Sequence, residues 1–243
     1  MSIGTVFLSE IIGSLVLSLL GNGGMANQLL TKKKPNEVII AICWASGVTV
    51  GIVFSLMLGG VGHLNAIISL FYLIYNWSSI GPYWLFWIFI IAQIIGFVLG
   101  QICVVFLYQG KIKQSLADGF KQEYLNSYCY TRNNEKFMKV FIAEFIGAIF
   151  FLLAIYFIIE NPRQILSPHT SFIFIFIIVI CIVLSLGGVT GPSLSPTRDI
   201  SLRLMHKIIP FKNKGSSEFK ESVPLILGSI LGTIVIGLVF LII

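Results

Sequence analysis

Three side chains in this sequence carry charge where charge is costly. Glu10 and Glu144 stand inside "FLSEIIGSLVLSLL" and "FIAEFIGAIFFLLA". Arg198 stands in "GGVTGPSLSPTRDISL", after a long apolar run that stops at Gly187 and Gly188. A charged side chain deep in hydrocarbon costs at least ~2.5 kcal/mol, so it pairs or faces water. A carboxylate there can accept backbone N–H bonds from irregular chain nearby, and a guanidinium can donate to a passing oxygen. Asp199, next to Arg198, can either brace the loop or sit beside a solute path. A hydrolase would pair Ser193 or Ser195 with His206, but no orienting acid and no nucleophile elbow accompany them. His63, His169 and His206 lack metal-ligand spacing, and Cys43, Cys103, Cys129 and Cys181 form no C-x-x-C. Those cysteines read as small buried apolar groups. No enzyme chemistry, cofactor or metal is expected.

The elements that must position these residues are membrane spans. Of 243 residues, 56% are hydrophobic and 11% charged, and mean hydropathy is +0.95. A soluble domain carries about 25% charged residues. Six runs approach the ~20 residues a helical span needs: Val6–Leu30, Val38–Leu58, Tyr83–Tyr108, Phe137–Ile159, Thr170–Leu186 and Pro224–Ile243. Two more apolar segments, Asn65–Tyr75 and Ser195–His206, reach only about half a bilayer at 1.5 Å per residue. "MSIGTVFLSE" has no basic leader and reads as the start of the first span. The polar stretch Gln109–Lys136 reads as a loop.

The chain repeats itself. Glu10 and Gly13 match Glu144 and Gly147, and "GGVGHLNAIISL" echoes "GGVTGPSLSPTRDISL". Glu10 precedes Asn65 by 55 positions, and Glu144 precedes Ser195 by 51. Each half therefore runs span, span, short re-entrant helix, span. Three spans per half is odd, so the second half enters the membrane from the opposite side. The predicted architecture is an all-α membrane protein with six transmembrane helices plus two re-entrant half-helices. It forms a single membrane channel domain over 1–243, with inverted repeats at about 1–110 and 137–243 joined by the loop 111–136. Irregular backbone at membrane depth must be buried in protein or line a watery path, and two such segments meeting at mid-membrane read as a pore or substrate site.

Asn65 is a good N-cap for the first short helix, ahead of Ala66. Ser195 caps the second, with Pro196 at its first helical position. Each N-terminus presents about half a positive charge, so two of them facing a narrow path repel cations. Arg198 adds a full charge. Three small-residue pairs, Gly47 with Gly51, Gly96 with Gly100 and Gly228 with Gly232, allow close helix packing.

These motifs together resemble the major intrinsic protein family, the aquaporins and glycerol facilitators, over nearly the whole chain. "SEIIG" and "AEFIG" resemble its first and fourth helices, "AQIIGFVLG" its third, and "GHLNAIISL" its first re-entrant motif, G-x-H-x-N-P-A. "GGVTGPSLSPTRDISLRL" resembles the second, with Gly, Thr, Gly, Pro, Arg and Asp in register. Both N-P-A triplets are altered, to Asn65-Ala66-Ile67 and Ser195-Pro196-Thr197. The resemblance implies a homotetramer with a pore in each subunit, and a constriction at Trp44 (or Ala45), Val183, Pro192 and Arg198. It also assigns His63, Gly191, Asp199, Glu10 and Glu144 to the pore loops and their support. An aromatic, an aliphatic residue and Arg make a half-greasy, half-polar mouth, which suits glycerol or a similar polyol, with some water. The implied partners are therefore small neutral solutes and the lipid bilayer.

Of 16 Lys and Arg, 15 fall on one side of the membrane by this topology, and only Arg163 falls elsewhere. The positive-inside rule would make that side cytoplasmic, with both termini outside, whereas the family has both termini in the cytoplasm. Nucleic acid is not an expected partner, because the basic residues border a membrane. An ion-coupled secondary transporter with Glu10 and Glu144 as coupling acids is the alternative, and a non-conducting family member is another.

Overall fold

The computed structural model describes residues 2–30, 34–76, 78, 81–129, 135–160, 163–191 and 193–242, the side chains of residues 168 and 169 excepted. The expectations placed on Pro192, Lys32, Lys33, Arg132 and the side chain of His169 lie outside the described residues.

Nine helices form among the described residues. They are α1 (Ile3–Leu29), α2 (Glu37–Met57), α3 (Ala66–Tyr75), α4 (Leu85–Ala117), α5 (Lys121–Asn126), α6 (Phe137–Ile159), α7 (Pro168–Thr190), α8 (Pro196–Ile208) and α9 (Phe219–Ile242). Six of them, α1, α2, α4, α6, α7 and α9, are long and apolar enough to cross a membrane. The half-helices α3 and α8 have 10 and 13 residues, so they rise about 15 and 20 Å.

Three boundaries differ from the sequence reading. The third span continues past Tyr108 to Ala117, and α5 forms within the stretch read as a loop over 111–136. Gln109, Lys111, Lys113 and Gln114 are good helix formers, so polarity there marks the exit from the apolar layer and not the end of the helix. The last span begins at Phe219, five residues before Pro224, which sits inside the helix. Its missing N–H leaves the Lys220 carbonyl without the usual i→i−4 donor, and the helix continues past it. The fifth span does not stop at Gly187 and Gly188. It runs to Thr190 and ends at Gly191, whose φ of 56° is left-handed and free of Cβ strain.

The repeat governs the packing. In the first half α1 packs on α2 and α4, and in the second α6 packs on α7 and α9. Each half-helix then crosses over: α3 packs on α9 and α8 packs on α4. Lipid tails are as apolar as the helices, so close backbone approach holds such a bundle together. The three glycine pairs provide it. A Cβ on Gly96 or Gly100 would stand 2.5 Å from the carbonyl oxygen of Ile11 or Leu15 on α1. Gly228 and Gly232 meet the carbonyls of Phe141 and Phe145 on α6, and Gly47 and Gly51 meet those of Leu17 and Gly13. The largest buried apolar cluster lies where the halves join and includes Leu17, Trp44, Leu64, Phe151 and Leu194.

Candidate functional site

The two half-helix tips meet. Asn65 Nδ2 donates to the Leu194 carbonyl at 2.7 Å, although 129 positions separate the two residues. Both N-caps form as the residue types dictate. The Asn65 side chain accepts from Ile67 N at 3.2 Å, and Ser195 Oγ accepts from Arg198 N at 3.4 Å.

Each tip is held by its carboxylate. Glu10 accepts from His63 N and Leu64 N, both at 2.8 Å. Glu144 accepts from Ser193 N at 2.9 Å and Leu194 N at 2.8 Å. Both acids are fully buried and line neither of the two cavities that open from the tips. What they restrain is strained backbone. Leu64 and Leu194 have φ of 52° and 42°, a region that costs a residue with a Cβ about 1–2 kcal/mol. Their side chains nest against Gly13 and Gly147, the matched glycines of the repeat.

Two cavities open from this meeting point toward opposite faces. The first, about 370 Å³, lies on the side of the α4–α6 connection and contains Trp44, Val183, Gly191, Ser193, Ser195 and Arg198. The second, about 500 Å³, follows the loop Gly60–Asn65 toward the face of the chain termini. Leu17, Val48, Leu64, Asn65 and Phe151 line both, so they form a common waist. Glu37 and Arg198 are the charged residues on the first cavity, and the second has none among the described residues.

On the first cavity the structure brings Trp44, Val183 and Arg198 together. Ala45 is fully buried and lines neither cavity, whereas Trp44 lines the first. The tryptophan is not an open greasy wall, however. Its ring packs against Gly21 on one side, and the Arg198 guanidinium lies 4.6 Å from its centroid. Such a contact is worth about 0.5–2 kcal/mol and holds the cation against the wall. Arg198 Nη2 donates to Ser193 Oγ at 3.5 Å, while Nε has no partner. The aliphatic surface comes instead from Val183, Ile182 and Met25.

The remaining predicted residues surround the two tips, with His63 on the second cavity and Gly191 and Ser195 on the first. His63 stacks between Tyr72 and Phe89 and shares a hydrogen bond with Ser69. Asp199 is fully buried, accepting from Arg203 at 2.8 and 3.2 Å and from Ser222 at 2.5 Å, so it braces the fold away from the passage. Ala66 and Pro196 open their helices, and Ile67 is fully buried beneath the tip. His206 bonds Ser217 at 2.8 Å and neither Ser193 nor Ser195, so no hydrolase pair is assembled.

Several supporting residues escaped the sequence reading. Arg203 lies one turn from Asp199, which the i,i+4 spacing could have signalled. Gln93 donates to Glu10 at 3.0 Å and to Ser69 at 3.1 Å, and it stands in the quoted "AQIIGFVLG". Asn126, Tyr128 and Cys129 come from the α4–α6 connection and roof the first cavity. Burial raises the Tyr128 phenol well above its ordinary value and pushes the Cys129 thiol up to about 12, so both stay neutral there.

Six spans, crossed half-helices and tips clamped by matched glutamates define a membrane protein built as an inverted repeat. The family described as Major intrinsic protein matches residues 2–240, and the chain belongs to that family. It is 30% identical to a probable glycerol uptake facilitator protein of Mycoplasma genitalium, over 92% of this chain and 89% of that one. It is 29% identical to a glycerol uptake facilitator protein of Streptococcus pneumoniae, over 95% and 96%. The solved aquaglyceroporin of Plasmodium falciparum superposes with a TM-score of 0.82 at 27% identity, covering 98% of this chain and 96% of that chain.

Proposed function

We propose that the chain is a passive channel for small neutral solutes, foremost glycerol-like polyols, with some water. The observation that carries this reading is the shared waist: one set of five residues bounds two cavities that open on opposite faces. The N–H groups of Gly60, Gly62, His63 and Leu64 are all bonded to Ser55 or Glu10. With those four donors spent on the protein, the loop has carbonyl oxygens to offer a solute. Ile52, Ile68, Ile155 and Ile175 line the same cavity. A polyol, with hydroxyls along one edge and carbons along the other, suits such a mixed wall. Trp44, Val183 and Arg198 form the selective mouth in this reading, with Arg198 and the two helix ends excluding cations.

A coupled carrier is the less supported reading. Glu10 and Glu144, the acids inside its apolar spans, have both carboxylate oxygens occupied by backbone donors and line neither cavity. Family membership also supports a homotetramer with a passage in each subunit and both termini in the cytoplasm.

Stopped-flow light scattering on proteoliposomes tests the function. Glycerol entry should exceed that into protein-free liposomes, rise linearly with gradient, and ignore a proton gradient. Entry at the protein-free rate, or saturable entry driven by protons, would replace this reading.

A further inference from the structure

We propose that Thr197 and Gln93 form a positioning pair that sets the second tip in register with the first, a task the Ser195 cap leaves undone. The inference rests on the channel reading above. The two tips are not held alike. The Asn65 side chain caps its own helix and also reaches across to the opposite loop. Ser195 has one oxygen on a short stem, and its cap bond of 3.4 Å exceeds the usual 2.7–3.2 Å range. Glu144 holds the second loop at residues 193 and 194, and Asp199 holds the helix after the tip. Between these anchors, over residues 195–197, a single side-chain bond among the described residues joins the tip to another element. It runs from Thr197 Oγ1 to Gln93 Oε1, at 3.3 Å.

Gln93 cannot turn its amide around. A carboxylate only accepts, so Nε2 must face Glu10, and Oε1 is left facing Thr197. The residue is fully buried. Alanine at 197, the type the related motif carries, would leave that oxygen without a donor. One amide thus links the clamp of the first half (Glu10 and Ser69) to the tip of the second. Arg198 follows Thr197 directly, so the bond governs where both Ser195 and the guanidinium stand.

The test compares Thr197→Ala, Thr197→Val and Thr197→Ser, each with Ser195 retained and with Ser195→Asn, in proteoliposomes. Removing the hydroxyl should change the ratio of glycerol to water permeability by at least about threefold. Thr197→Ser should keep the native ratio. In the Ser195→Asn background the same removal should have less than half that effect, because an asparagine tip can tie itself across. A purely structural role would lower both permeabilities together and leave the ratio fixed. An unchanged ratio, or equal effects in the two backgrounds, overturns the proposal. A second measurement stands independently of conduction: amide hydrogen exchange over residues 193–203 should quicken in Thr197→Val and stay native in Thr197→Ser. Equal exchange in the two variants also overturns it.

Discussion

Replacing Glu144 by Gln removes one oxygen acceptor from a site that uses two. Ser193 N and Leu194 N donate to separate carboxylate oxygens, at 2.9 and 2.8 Å, in fully buried surroundings. The amide keeps one acceptor and turns an NH2 group toward the other backbone donor. A hydrogen bond to a charged group contributes about 1.5–3 kcal/mol, and a buried donor left unpaired costs about 1–3 kcal/mol. These overlap, so the expected loss is about 2–4 kcal/mol. Leu194, held at a φ of 42°, would then lack part of the restraint that keeps it there. For a chain of this size each kcal/mol lowers Tm by about 2–4 °C, which gives a drop of about 5–15 °C. Thermal unfolding of detergent-purified protein, followed by size-exclusion recovery, measures it. Glu135→Gln is the control, because that exposed pair with Lys139 is worth about 0–1 kcal/mol. If Glu144→Gln melts within about 1 °C of the control, the carboxylate does not hold the tip and the clamp argument fails.

Two further outcomes follow from the same geometry. Gly13→Ala should destabilise by about 1–3 kcal/mol, since its Cβ would press on the Leu64 side chain and stand 2.9 Å from the Gly51 carbonyl oxygen; native thermal stability and native glycerol flux together would count against it. Arg198→Val should raise cation leak, read by a pH-sensitive dye inside proteoliposomes under an imposed potential, while glycerol still passes; an unchanged leak would place cation exclusion on the helix ends alone.

Much of the site could be read from the sequence because repeat and residue type constrain it twice. Glu10 and Glu144 precede their loops by similar spacings, and an acid inside an apolar span has few partners other than unpaired backbone donors. Asn65 and Ser195 are cap types at the starts of short apolar helices, so the tips were legible as well. Contacts between side chains far apart in sequence were not. Nothing in the residue order signals that Arg198 lies over the Trp44 ring, or that the Gln93 amide spans both halves. The left-handed backbone at Leu64 and Leu194 runs against the preference of leucine and is imposed by the clamps. Polar but helix-favouring residues hid the end of α4, and Pro224 hid the start of α9.

The most direct test fills the waist. Val48 lines both cavities beside Asn65 and Leu17. Glycerol flux through purified Val48→Trp in proteoliposomes, with folding checked by size exclusion, should fall to the protein-free rate. Native flux through a folded Val48→Trp protein would mean that solute crosses elsewhere, and the passage between the two tips would not be the route.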